Sequence, residues 1–557
     1  MQVQDHWRGR ARYTVFDTAY GDGARIAALI DAWRADPWRP AHLHVLALTD
    51  SLQPGFHRIP QPEPGVTLDL LAAPLATALA ELNAHLDFIR LDALGGSDVA
   101  RPLARLTALD ARLLAPALDE AQRAALAAQG FAFDGDMAVF STRKPRLPVT
   151  PPPTRRALVL GAGVAGCAAA ARLCARGWDV TIVERHAGVA QEASGNLAGI
   201  FMPLLSRDDN IPTRLARSSY LYALRLWAQL GGIGRAFEGA QCGVLQLSRD
   251  AQHAAASRAL AADGRVPRDF ARWLEQGEAE ALLGLPAPDG GWLFPQGGWA
   301  RPGSLCEALL ASCGARLTRR FGVGDVRLAH DAPGDAWRAL DANGEFVAEA
   351  PTVILASGAG ARHMAQTRDL PLQALRGQVT HLAPEHAPRL PLVLCREAYL
   401  TPAAQGLRCA GATYDLDEDP QLRPASQEEN VTRLRALVSD PQAAAGAPLL
   451  GRVGFRCVAP DRLPLVGRLP DFAAAGATER LRDVPRHPGL HGLLGYASRG
   501  IIWAPLAAEL LAAQLEGEPL PLEMSLVDAL DPARFVLRAR RGSRGPGSAA
   551  GALDIGP

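Results

Sequence analysis

Lysine is almost missing from this chain: Lys144 is the single one among 58 basic residues. Its cations are therefore arginines. Together with the alanine richness, this reads as the imprint of a GC-rich genome rather than of a function. Neither sign of charge is in excess, since Lys+Arg and Asp+Glu count 58 each, and no global field points to a nucleic-acid partner. The 8 cysteines contain no C-x-x-C pair, which speaks against a zinc site or a redox dithiol. Cys167, Cys174, Cys242, Cys306, Cys313, Cys395, Cys409 and Cys457 lie mostly among apolar or small neighbours and read as buried thiols of a reducing compartment. No apolar run reaches the ~18 residues that cross a bilayer. The opening MQVQDHWRGRARY has no apolar core of a signal peptide. A cytoplasmic protein without membrane or metal partners is expected.

What is present is ample core. Hydrophobic residues make up 48% of 557 and charged residues 21%, enough at roughly 100–200 residues per domain for about three folding units. Residues 143–156, RKPRLPVTPPPTRR, place five prolines between basic flanks, the composition of a stiff, extended linker. The expected organisation is an N-terminal domain over 1–145, a linker over 146–156, a second region over 157–541 and a loose tail, 542–557. In the N-terminal domain, YTVFDTAYGDG reads as a strand entering a glycine-bearing turn and ARIAALIDAWRA as an amphipathic helix. HLHVLALTD, VTLDLLAA, LDFIRLDAL and MAVFSTR read as further strands with Ala/Leu-rich helices between them. That alternation predicts an α/β sheet.

The sharpest motif follows the linker. Gly161-Ala162-Gly163-Val164-Ala165-Gly166 is G-x-G-x-x-G, preceded by the apolar strand Leu158-Val159-Leu160 and followed by a helix-forming run to Arg176. Glu184 ends the next strand, near the ~20-residue spacing of a ribose-binding acid. Gly161 permits the tight turn, Gly163 lets backbone approach a pyrophosphate, and Gly166 allows helix and strand to pack closely. The helix N-terminus then offers unpaired N–H groups and partial positive charge to the phosphates. TVILASGAG, 352–360, reads as another buried strand ending in small residues, with Gly358 expected at the cofactor. The motif alone does not choose between FAD and NAD.

The rest of the segment resembles the D-amino acid oxidase-like flavoenzymes, in their glycine and sarcosine oxidase branch. QEASGNLAGIFMP (191–203) resembles the family's loop near the flavin, and GGWARPGSL (297–305) its glycine-to-proline approach to a helix. GFRCVAPDRLPLVG (454–467) resembles a family signature in which Cys457 replaces the usual proline, and GYASRGIIWAPLAAE (495–509) the final strand-to-helix turn over the flavin. The resemblance implies FAD as cofactor, with Ser194, Gly195, Asn196, Gly495, Arg499, Gly500 and Ile501 around it. It implies flavin-binding parts at about 157–240, 350–372 and 453–530, with substrate-binding parts at about 241–349 and 373–452. Arg456 matches the arginine that clamps a substrate carboxylate, a pairing for which a planar guanidinium is suited; a structural ion pair is its plainer explanation. Tyr496 and Arg499 are expected near the substrate mouth.

Residues 157–541 also resemble the oxidoreductase half of the bifunctional tRNA 5-methylaminomethyl-2-thiouridine biosynthesis proteins, in phrases such as ERHAGVAQEASGNLAG and LRDVPRHPGLHGLLGYASRG. In that family an S-adenosylmethionine methyltransferase domain precedes the oxidase. The resemblance implies a tRNA substrate whose wobble uridine carries a carboxymethylaminomethyl group, oxidative loss of the carboxymethyl group, and methylation of the amine left behind. The N-terminal domain matches less well. Gly21 and Gly23 keep part of the S-adenosylmethionine loop, but Asp22 stands at a small-residue position and Thr49 at the expected ribose acid, with Asp50 one step late. Asp92 matches the presumed catalytic acid, while ALGGSDVA replaces the loop after it. These departures predict impaired methyl transfer. Two arginine-rich stretches, Arg143, Lys144, Arg146, Arg155 and Arg156 in the linker and Arg538, Arg540, Arg541 and Arg544 near the C-terminus, are candidate phosphate contacts. An oxidase of free glycine- or sarcosine-type amines and a tRNA-binding protein without chemistry are the alternatives.

Overall fold

The structure, a computed structural model, describes residues 4–94, 96–331 and 334–543. It divides into two compact units: Met1–Pro153 with Leu224–Gln229 and Glu509–Asp528, and Thr154–Ala223 with Leu230–Ala508 and Ala529–Pro557. Of the tail expected over 542–557, Gly542 and Ser543 end the helix Arg534–Ser543. The remainder, Arg544 included, lies outside the described residues.

The first unit is built on eight strands: β1 (Arg12–Asp17), β2 (His42–Leu48), β3 (Gly55–Ile59), β4 (Val66–Ala72), β5 (Leu86–Arg90), β6 (Thr107–Leu114), β7 (Phe131–Asp134) and β8 (Met137–Phe140), in the order β3-β4-β2-β1-β5-β6-β8-β7. β1 pairs in parallel with β2 on one side and β5 on the other. The direction of the chain order reverses there, and the crevice beyond the carboxyl ends of such strands is where α/β sheets bind ligands. β1 and β2 bury nearly every residue, as strands covered on both faces do. One face carries the apolar cluster of Phe16, Leu46, Leu71, Leu86 and Ile89, the other that of Tyr13, Val15, Val45 and Trp33. The α/β expectation holds. Its correction is TALDARLL, expected within the helical intervals: it is β6, with alternation broken at exposed Leu109 and Asp110, where Asp110 takes φ 61.

The second unit holds a six-stranded sheet in the order Leu317–Phe321, Asp179–Glu184, Arg156–Leu160, Thr352–Leu355, Arg486–Leu494, Leu465–Pro470. The first five are parallel and the last antiparallel. The helix Val164–Cys174 has every residue but Arg172 buried; its alanines and Gly166 let it pack closely. An eight-stranded sheet includes the long antiparallel pair Gln373–Leu382 and Leu450–Val458, with Arg408–Gly411 on the other side of Gln373–Leu382. A cavity opens in this unit, lined from both sheets.

Candidate flavin and substrate site

The strand Arg156–Leu160 stops at Gly161, which takes φ 107 and donates its N–H to Val183 O at 2.8 Å. A Cβ on Gly161 would lie 2.6 Å from Ala356 O, and one on Gly166 would collide with the Gly161 carbonyl, so the turn admits only glycine at these places. Gly163 begins the helix Val164–Cys174, whose Val164 N–H is met by Ser194 Oγ at 3.2 Å. Glu184 turns both carboxylate oxygens to backbone, accepting from Ala162 N–H at 2.7 Å and His186 N–H at 3.0 Å.

Gly161, Gly163, Glu184, Ser194, Asn196, Gly358, Arg456, Gly495, Arg499, Gly500 and Ile501 all line one cavity of about 740 Å³. Gly166 and Gly195 stand behind it. Arg452 occupies the space a Gly195 side chain would need. It ties down the 191–195 turn, donating to Gly195 O at 2.9 Å, Gln191 O at 2.6 Å and Glu192 O at 2.8 Å. Burial presses the guanidinium pKa of Arg452 below its ordinary value.

At the other end Arg456 projects from the strand Leu450–Val458 into room left by side-chain-free Gly377. Its Cζ lies 4.4 Å from the centroid of the Tyr414 ring and its Nη1 donates to Thr413 O at 3.2 Å. Among the described residues no carboxylate pairs with it, so the plainer explanation, a structural ion pair, finds no partner. Tyr399 and Tyr496 share the cavity wall, and burial pushes both phenols up. Burial also presses down the guanidinium pKa of Arg499. Ser357 Oγ and Tyr496 Oη line the cavity and are buried with no hydrogen-bond partner among the described residues.

These features fit FAD. A glycine turn at a helix N-terminus, an acid at the end of the neighbouring strand, and orphaned hydroxyls along the wall leave donors and acceptors for a dinucleotide to satisfy. Arg452, Tyr399 and Tyr414 were not singled out from the sequence. They come from segments far apart in the chain, and no local spacing marks them.

Gly21, Gly23 and Asp92 form a separate group in the first unit. Gly21 and Gly23 take φ 61 and 82 in the turn after β1, and Asp92 follows β5, within ion-pair distance of Arg25 and Arg90. Of the basic residues expected as phosphate contacts in the linker and near the C-terminus, Arg146 donates to Asn83 Oδ1 at 2.6 Å and Arg538 pairs with Asp461.

The FAD dependent oxidoreductase family matches residues 156–514. Among solved structures, glycine oxidase from Geobacillus kaustophilus aligns with TM-score 0.56 at 22% identity, over 68% of this chain and 99% of its own. Iminodiacetate oxidase from Chelativorans sp. BNC1 aligns with TM-score 0.52 at 24% identity, over 66% and 96%. Both likenesses establish the fold. The protein from Burkholderia thailandensis described as tRNA 5-methylaminomethyl-2-thiouridine biosynthesis bifunctional protein MnmC is 41% identical over 97% of this chain and 93% of its own length. Its namesake from Azoarcus sp. is 40% identical over 98% and 93%. With the family matched over 156–514 and that identity along almost its whole length, the chain belongs to the bifunctional tRNA 5-methylaminomethyl-2-thiouridine biosynthesis proteins and is an FAD-dependent oxidoreductase.

Proposed function

We propose that the second unit removes the carboxymethyl group from 5-carboxymethylaminomethyl-2-thiouridine at the wobble position of tRNA, leaving 5-aminomethyl-2-thiouridine and glyoxylate. The modified base carries, in effect, a glycine attached through its nitrogen. The N–CH2 bond of that glycyl group loses two electrons and two protons. Water adds to the resulting C=N bond, and the carbon–nitrogen bond then breaks to free the amine. Dioxygen receives the electrons and protons as hydrogen peroxide. Gly161, Gly163, Glu184, Ser194 and Asn196 would hold FAD, which when bound would supply the two-electron acceptor between substrate and oxygen.

The chain's own residues bind and orient. Arg456 takes the substrate carboxylate in a two-pronged hydrogen bond, which fixes the methylene carbon in place. Tyr414 holds the guanidinium against its ring. The helix Gly500–Glu516 begins at the cavity wall and presents the positive end of its dipole there. Arg499, one residue ahead of it, adds a full positive charge. The observation that supports this reading most is Arg456, a cavity-lining guanidinium that no carboxylate among the described residues pairs with. The relatives' names support tRNA as the carrier of the amine.

The test is to incubate the purified protein with tRNA bearing the carboxymethylaminomethyl group in air and to trap glyoxylate as its hydrazone. Glyoxylate in step with peroxide supports the proposal. Turnover of free glycine or sarcosine, with none of the tRNA, transfers the site to small amines.

A further inference from the structure

The switch-point edge of the first unit is bridged by the chain's own charges. Asp17 closes β1, and the turn 17–23 leads into the helix Ala24–Ala35. From the first turn of that helix Arg25 reaches back across the loop. Its Nη2 lies 3.0 Å from Asp17 Oδ1 and 3.7 Å from Asp92 Oδ2, and it also donates to the Ala19 carbonyl. Asp92 is met from its other side by Arg90 Nε at 3.3 Å, and its N–H donates to Thr18 Oγ1 at 2.9 Å. The carboxylates at the ends of the two strands that flank the switch point thus already share an internal cation.

The helix start is closed in the same manner. Asp22 Oδ1 accepts the Ala24 N–H at 3.0 Å. The phenol of Tyr20 sits 2.6 Å from where a Gly23 Cβ would be, and its ring packs against the cluster that holds Val15 and Trp33. Beyond β2, Thr49 Oγ1 lies 2.8 Å from Ser51 Oγ and accepts the Ser51 N–H at 3.2 Å. Asp50 points to solvent.

S-adenosylmethionine would bring a sulfonium, an α-ammonium, an α-carboxylate and a ribose diol to this edge, and its carboxylate could take Arg25 only by drawing that guanidinium off Asp17 and Asp92. Its cations would meet the Arg25 guanidinium already seated on both carboxylates. Its diol would find the Thr49 hydroxyl, already bonded, in place of an acid. The residues present do not fit the group. We infer that Arg25 is a built-in counter-cation that closes this crevice to S-adenosylmethionine, so that the chain releases the primary amine unmethylated. The identity of that product rests on the proposed oxidase function; closure of the crevice does not.

Two measurements on the full-length protein avoid the flavin site altogether. In equilibrium dialysis with radiolabelled S-adenosylmethionine, no saturable binding is expected up to millimolar ligand. With tRNA that already carries aminomethyl-2-thiouridine, no methylated nucleoside is expected when S-adenosylmethionine is added. Binding of one S-adenosylmethionine per chain, or appearance of the methylated nucleoside, overturns the inference whatever the oxidase assay gives. A third measurement tests Arg25 directly. R25M leaves Asp17 and Asp92 facing one another and lowers the melting midpoint at pH 7 by about 2–4 °C. The loss shrinks as pH falls and Asp17, whose carboxyl burial pushes above its ordinary range, takes up its proton. An R25M midpoint equal to wild type at pH 7 also overturns it.

Discussion

Replacing Arg456 by methionine removes the carboxylate clamp while keeping a side chain of similar length. A guanidinium and a carboxylate about 4 Å apart attract by about 4 kcal/mol at an effective dielectric constant near 20. Water entering the vacated space returns part of this, so about 3 kcal/mol of binding is lost. That is a fall of about 10²-fold in kcat/KM for the carboxymethylaminomethyl tRNA. R456K keeps the charge but only one prong of the hydrogen bonding, and it loses about 10-fold. The assay is steady-state glyoxylate release at matched flavin content, with bound flavin read from visible absorbance. A tRNA whose side chain carries a neutral amide in place of the carboxylate controls for general damage, since wild type and R456M should then differ little. R456M with full flavin and kcat/KM within about threefold of wild type on the carboxylate substrate would refute the clamp.

Three further outcomes follow from the same geometry. Gly161→Ala places a Cβ 2.6 Å from Ala356 O at φ 107, and the purified variant should carry little flavin absorbance while its unit 1 remains folded by limited proteolysis. Arg452→Met frees the three carbonyls that hold the 191–195 turn. At about 1.5–3 kcal/mol for a charged hydrogen bond, it should weaken flavin retention at least about 10-fold in a dialysis assay. His491 sits within the six-stranded sheet, where burial holds its pKa at about 4 against an ordinary 6.5. As pH falls through that window the unfolded chain binds the proton first, so stability is lost between pH 6.5 and 4, by up to about 3 kcal/mol. His491→Asn should flatten the pH dependence of the urea midpoint over that range; an unchanged slope would remove His491 as the cause.

The dinucleotide turn was legible because its chemistry is local: Gly161, Gly163, Gly166 and Glu184 lie within one strand-helix-strand unit, and each is dictated by the turn itself. Arg456 was legible only through its resemblance to a flavoenzyme signature. Tyr399 and Tyr414 were not, since it is the pairing of Gln373–Leu382 with strands on either side that brings them to the cavity. Strand β6 hid behind an alternation interrupted at Asp110. In the first unit the sequence marked Asp22 and Thr49 as departures, but Arg25 looked like any polar residue of an amphipathic helix. Its role needs the fold, which sets Asp17 and Asp92 side by side at the ends of β1 and β5.

The central claim is the chemistry at the wobble base. Purified protein is given carboxymethylaminomethyl-2-thiouridine tRNA in air, with a parallel sample kept free of oxygen, and the digested nucleosides are weighed by mass spectrometry. The account predicts conversion to the mass of aminomethyl-2-thiouridine in air, and no more than one turnover per flavin without oxygen. An unchanged nucleoside in air from protein that carries its full flavin contradicts it.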